Sequence, residues 1–175
     1  MNKKTLTPRF LFIIAVIAFA ALYRMLPHLP NFTPVAAMAL FSGAMINKKG
    51  YAFIIPLVAM ILSDLVIGLH STIWAVYLSF AITVGLGLLI SKKQNIVNIA
   101  LGSVASSVIF FLLTNFAVWT SGMVGYTLNF AGLVSCYVAA IPFFRNEFLG
   151  TMVFNTVFFG SLYFAQKKFT VLAKA

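Results

Sequence analysis

The sequence predicts an all-α fold: a polytopic membrane helix bundle forming a single transmembrane domain over residues 1–175. It predicts six transmembrane helices, with a partly helical outer loop between the fifth and the sixth. Three observations carry this. Hydrophobic residues make up 62% of the 175 residues and charged ones 8%, more apolar surface than one soluble core of this length can hide. Apolar runs recur along the chain, and six spans of about 20 residues would use roughly 120 of them, leaving only short loops. Ten of the twelve basic residues (Lys3, Lys4, Arg9, Lys48, Lys49, Lys92, Lys93, Lys167, Lys168 and Lys174) stand at the ends or in short turns between these runs. Cytoplasmic flanks look like this under the positive-inside rule.

The same placement excludes nucleic acid as the reason for a net charge of +10, because a DNA-binding stripe gathers its bases on one face of a soluble element. The expected setting is a bacterial inner (plasma) membrane, crossed several times, with both termini cytoplasmic.

The first helix runs from Phe10 to Leu26 after the basic flank. Ala18-Phe19-Ala20 resembles a leader cleavage site, but the run continues through Tyr23 and Arg24, an interfacial ending, and a retained helix is expected. Pro27, Pro30 and Pro34 make the next stretch a loop. A second helix covers Pro34 to Ile46, with proline at a tolerated first-turn position. It is short, about 20 Å, and its small residues Ala36, Ala37, Ala39, Gly43 and Ala44 allow close backbone approach.

The turn Asn47-Lys48-Lys49-Gly50 is cytoplasmic. Helix three covers Tyr51 to Leu69, and the uncharged turn His70-Ser71-Thr72 lies outside. Helix four covers Ile73 to Ile90 and ends at the basic turn Ser91-Lys92-Lys93-Gln94. Helix five covers Ile96 to Val118. Tyr126 to Phe144 is apolar enough to cross, but a crossing there would carry Lys167, Lys168 and Lys174 to the outside. It is therefore read as an outer segment folded into or against the outer leaflet, followed by a last helix from Phe148 to Ala165. Seven spans are the alternative. Trp74, Trp119, Tyr126 and Tyr23 fall at the outer boundary and Tyr51 and Tyr163 near the inner one, as aromatic belts require.

Catalytic signatures are missing from the sequence. There is no His-Glu-x-x-His, no Gly-x-Ser-x-Gly and no Gly-rich phosphate loop, so any ATP-driven role needs another subunit. One cysteine, Cys136, excludes an intramolecular disulfide and a zinc site built on paired cysteines. His28 and His70 are far apart in sequence, so neither metal nor cofactor is expected, and the chain is not read as an enzyme.

The two acidic residues are informative. Asp64 lies roughly 9 Å inside the outer end of helix three. At that depth it must face the bundle interior, either as a ligand contact or as a structural carboxylate bonded to an outer-loop amide, to Arg24 or to Arg145. Glu147 follows Arg145-Asn146, where Asn146 reads as the cap of the last helix and Glu147 as favouring its positive end, with contact to a ligand as the alternative. Around them Asn31, Thr33, Asp64, His70, Tyr77, Thr114, Asn115, Trp119, Tyr126 and Asn129 converge on one side as an outward-facing polar and aromatic cup. Small-ligand sites combine such groups with apolar walls. The expected substrate contacts are Asn31, Thr33, Asp64, His70, Tyr77, Asn115, Trp119, Tyr126 and Asn146.

Two stretches carry a resemblance. Asn31-Phe32-Thr33-Pro34-Val35-Ala36-Ala37-Met38-Ala39-Leu40-Phe41-Ser42-Gly43-Ala44, with Lys48-Lys49-Gly50 and Ile61-Leu62-Ser63-Asp64-Leu65, resembles helices two and three of the substrate-binding S components of energy-coupling factor (ECF) transporters. Gly132-Leu133-Val134-Ser135-Cys136-Tyr137-Val138-Ala139-Ala140-Ile141-Pro142-Phe143-Phe144 looks like the outer loop before the last helix in such proteins, notably the biotin-binding ones. The whole chain is also similar to small bacterial membrane proteins related to S components.

The resemblance implies a six-helix subunit holding a vitamin-like molecule near the outer face. It further implies a transmembrane coupling subunit and two ATPases as partners, powering uptake by toppling the subunit in the bilayer. The chain departs from the pattern in three places. Its helix-one alanines are Ala15, Ala18 and Ala21 rather than an Ala-x-x-x-Ala pair. Gly150 stands where biotin binders place a lysine. The N-terminal histidine of the nickel and cobalt relatives is absent. A non-transport role as a structural or assembly partner in a membrane complex is the alternative function.

Overall fold

The computed structural model describes residues 7–173 and is all-helical. The elements are α1 (Pro8–Tyr23), α2 (Val35–Met45), α3 (Lys49–Ile67), α4 (Ile73–Ile90), α5 (Ile96–Ser121) and α6 (Phe130–Lys168), followed by a 3-10 turn at Thr170–Leu172. Lys3, Lys4 and Lys174 of the expected basic flanks lie outside the described residues.

Local chemistry sets the boundaries. Thr7 caps α1 by accepting from the Phe10 N–H, with Pro8 opening the helix, where its missing donor is not needed. Asn95 caps α5 by accepting from the Asn98 N–H at 2.7 Å. Gly122 closes α5 in the left-handed conformation at φ 66°, the usual glycine stop.

The C-terminal third corrects the sequence reading. No helix begins after Asn146; α6 runs unbroken for 39 residues, about 58 Å. Its cap is Asn129, which accepts from the Gly132 N–H at 2.9 Å. Asn146 instead has its side chain committed elsewhere, donating to the Pro30 carbonyl at 3.0 Å. Pro142 lies inside α6 and removes one main-chain bond. Between the Ser103–Asn155 and Asn115–Cys136 contacts, α6 uses more residues than α5 does. It therefore runs obliquely to α5 or bends in the interval that holds Pro142.

Four helices, α3 to α6, are long and apolar enough to cross a membrane, while α1 and α2 are shorter. Leu65, Val66, Leu89, Ile96 and Leu101 are all exposed on the outer surface of the bundle, which gives these helices the character of segments solvated by lipid.

The centre belongs to α2. All eleven of its residues are buried, and its small side chains let α4 come into backbone contact. A Cβ on Gly43 would lie 2.1 Å from the Val84 carbonyl oxygen, and one on Gly87 2.4 Å from the Leu40 carbonyl oxygen. Only glycine fits at either place. Phe41 fills the other side, edge-on to Phe159 with ring centroids 5.2 Å apart.

One end of the bundle collects the basic turns. Arg9 donates to the Leu172 carbonyl at 3.3 Å and lies 3.6 Å from Met45 Sδ. Gln94 Nε2, beside Lys92 and Lys93, donates to the Ala44 carbonyl at 2.7 Å. The start of α1, the end of α2, the α4–α5 turn and the segment after α6 thus meet at one end.

Candidate ligand-binding site

At the opposite end a cavity of about 300 Å³ opens between the helices. The α1–α2 loop contributes Asn31 and Thr33, the α3–α4 turn His70 and Thr72, and α5 Thr114 and Asn115. Arg24, the C-cap of α1, and Glu147 of α6 are its charged groups. The apolar wall includes Phe110 and Phe111 of α5 and Phe143 and Phe144 of α6, with Phe111 and Phe144 at a centroid distance of 4.7 Å.

The loop over this cavity is held from α6. Asn31 is in the left-handed region at φ 61°, which asparagine tolerates better than most side chains. Asn146 holds the Pro30 carbonyl. One helical turn further on, a Cβ at Gly150 would meet Thr33 N at 3.2 Å and Phe32 Cα at 3.3 Å. Asn146 and Gly150 therefore form a seat for the loop, and a longer side chain at 150 would lift it.

Asp64 lies behind the cavity wall. It is 2% exposed, forms an ion pair with Arg24 Nη2 at 2.5 Å and accepts from the Tyr77 hydroxyl at 2.7 Å. Arg24 Nη1 also donates to Ser63 Oγ at 2.6 Å. Of the partners the sequence offered for Asp64, the structure selects Arg24. The pair leaves the guanidinium at the cavity with its charge balanced and some of its five N–H donors engaged, on Asp64, on Ser63 and weakly on Met60 Sδ.

Glu147 has no such balance. It is 4% exposed, and Oε1 accepts from Thr151 Oγ1 at 2.8 Å. Oε2 is shielded and has no hydrogen-bond partner among the described residues. Arg145, two positions earlier, is exposed, and residues so spaced on a helix do not face each other. Below Glu147 a polar seam continues between α5 and α6, where Asn155 Nδ2 donates to Ser103 Oγ at 2.7 Å. Ser107 Oγ, close to the Glu147 carboxyl, and Asn155 Oδ1 in this seam likewise make no hydrogen bond among the described residues.

Of the expected contacts, Asn31, Thr33, His70 and Asn115 are brought together around the cavity, joined by Thr114. Asp64 and Tyr77 sit one layer behind, through Arg24. Trp119 is placed outside the lining, its Nε1 donating to the Thr127 carbonyl at 2.9 Å. Tyr126 is also outside the lining, and Asn146 supports the loop. Cys136 is buried against α5, donating to the Asn115 carbonyl at 3.5 Å. No cluster of three or more potential metal ligands occurs among the described residues.

The sequence places Glu147 first at a helix end, with ligand contact as the alternative, and gives no sign of the phenylalanines. The signal for Glu147 was present: Glu147, Thr151 and Asn155 repeat every four residues, marking one polar, inward-facing stripe on a long apolar helix.

These features define a class: an all-helical bundle of membrane-helix character with a polar and aromatic cavity at the end remote from its basic turns. The chain belongs to DUF6580, a family of unknown function, whose match covers residues 4–172. No curated protein and no solved structure shows significant similarity to it.

Proposed function

We propose that the protein is a membrane-embedded binding subunit for a small, vitamin-like molecule, captured in the cavity at the end remote from the basic turns and destined for uptake. The cavity itself carries this reading. About 300 Å³ is at the small end of the range for ligand sites. Its phenylalanine walls with a few convergent amides, hydroxyls and charges are what fixes and orients a compact ring.

The proposed topology has six spans with both termini cytoplasmic in a bacterial inner membrane. It is supported by the gathering of the described basic turns at one end. In it α6 crosses once, and its first turns lie along the outer boundary. Phe130, Val134, Val138 and Ile141 form an exposed apolar stripe there, suited to acyl chains. A coupling subunit with ATPases is the proposed source of energy, since the sequence carries no phosphate loop of its own.

The test is native mass spectrometry and thermal stabilisation of the detergent-purified protein across a vitamin panel. A bound or stabilising molecule that is lost on Asn115→Ala supports the reading. Clean protein with no ligand and no stabilisation by any member of the panel refutes it.

A second reading, an assembly partner in a membrane complex, is favoured by the outward face of α1. Leu11, Ala15, Ala18 and Leu22 are exposed there in a single row, a surface to which another helix can pack closely. Recovery of a stable membrane partner without any ATPase supports that role.

A further inference from the structure

We infer that the molecule held in the cavity is an organic cation, a compact ring carrying a positive nitrogen, and that Glu147 is its anchor. The inference rests on the reading of the cavity as a binding site and follows from charge accounting around it. The ionisable groups on the cavity wall are Arg24, His70 and the carboxyl of Glu147. Arg24 is already neutralised by Asp64 and tied to Ser63. A carboxylate on an incoming ligand would therefore find a guanidinium whose charge is already balanced.

Glu147 presents the opposite situation. It makes no ion pair among the described residues, it is 4% exposed, and Oε2 makes no hydrogen bond among them, with only the neutral hydroxyl of Ser107 close by. A buried carboxylate without a counter-charge is costly in an apolar interior. The terminal torsion of glutamate is broad, so a small turn of the carboxylate presents Oε2 to the cavity that Glu147 lines. A ligand cation there supplies the missing charge. Phe111, Phe143 and Phe144 stand around the same space, and aromatic faces attract cations and stack on rings. An overall charge of +10 suggests an anion binder. The local balance points the other way.

The test uses the full-length protein in detergent and a panel of ring compounds in matched cationic, neutral and anionic forms, headed by 1-methylnicotinamide, nicotinamide and nicotinate. Thermal stabilisation ranks the panel, and calorimetry measures the members that stabilise. The expected result is a preference for the cationic members, roughly tenfold in affinity over their neutral counterparts. That preference should be lost in Glu147→Gln while the ligand-free unfolding temperature is kept. Should the variant fail to fold, the charge ranking on the wild-type protein decides alone.

A preference for the anionic members, or stabilisation that Glu147→Gln leaves unchanged, overturns the inference and leaves the binding-subunit reading standing. Stabilisation by sodium ion alone, with no response to any ring compound, assigns Glu147 to an inorganic ion and overturns the inference. No stabilisation by anything in the panel removes both.

Discussion

Arg24 and Asp64 join the C-terminal ends of α1 and α3 through an ion pair of 2.5 Å, with the aspartate 2% exposed. The pair accepts a third group, the Tyr77 hydroxyl of α4, so three helices meet at one carboxylate. Removing one member of a buried pair strands the other charge. Asp64→Ala is expected to destabilise the protein by about 3 kcal/mol. The double variant Arg24→Met/Asp64→Leu should recover most of that loss. Thermal unfolding in detergent checks both, and an Asp64→Ala protein as stable as the wild type contradicts the structure at this point.

The α2–α4 contact makes an independent prediction. Gly43→Ala and Gly87→Ala each drive a methyl into main chain at 2.1 and 2.4 Å. Each is expected to cost about 3 kcal/mol. Gly160, which has open space around it in α6, provides the control: Gly160→Ala should be neutral or stabilising by up to about 1 kcal/mol.

Two candidate ligand contacts can be separated by substitution. Asn115 borders the cavity, whereas Trp119 turns its indole to the Thr127 carbonyl. Asn115→Ala is expected to weaken binding of whichever panel member stabilises the protein by about tenfold. Trp119→Ala should leave that affinity within about twofold. Equal losses in the two variants would move the site outward, toward the α5–α6 loop.

Orientation is testable by labelling. Cys136 is buried and should resist a membrane-impermeant maleimide until the protein is denatured. In a Cys136→Ala background, Ser71→Cys and Thr127→Cys are expected to label from outside intact cells. Lys92→Cys and Lys168→Cys should label only after the membrane is opened. Labelling of Lys168→Cys from outside while Lys92→Cys stays protected contradicts the gathering of the basic turns at one end.

The seam between α5 and α6 predicts a smaller effect. Asn155→Ala removes the interhelical bond to Ser103 and is expected to cost about 1 kcal/mol in unfolding measurements, within the range for polar contacts between membrane helices.

Much of the fold was legible because apolar runs and basic turns punctuate it. The residues at which α4 and α5 begin are those expected, and α2 and α3 begin within two residues of theirs, since Asn95, the Lys48-Lys49 turn and Ser91 to Gln94 interrupt otherwise continuous hydrophobicity. The end of the chain was harder. Arg145-Asn146-Glu147 looks like a helix entrance, because a polar triplet with two charges inside a long apolar helix is costly unless tertiary contacts use it. Here Asn146 holds the α1–α2 loop and Glu147 turns into the bundle. The use of Asn146 leaves no local signature, and that of Glu147 shows only in its four-residue repeat with Thr151 and Asn155.

The cavity was half legible for the same reason. Asn31, Thr33, His70 and Asn115 fall near helix ends on one side, which the in-out register reveals. That Phe111, Phe143 and Phe144 border one cavity depends on how α6 passes α5, which no periodicity within one helix encodes.

The complete enclosure of α2 has a consequence for synthesis. A helix of eleven residues, about 16 Å, is too short for the insertion machinery to release into lipid as an independent span. The surfaces that enclose it, α4 and α6, leave the ribosome only later. Nascent chains halted before Ile73 therefore lack the wall against which α2 settles, and assembly of the bundle's middle must wait for its second half.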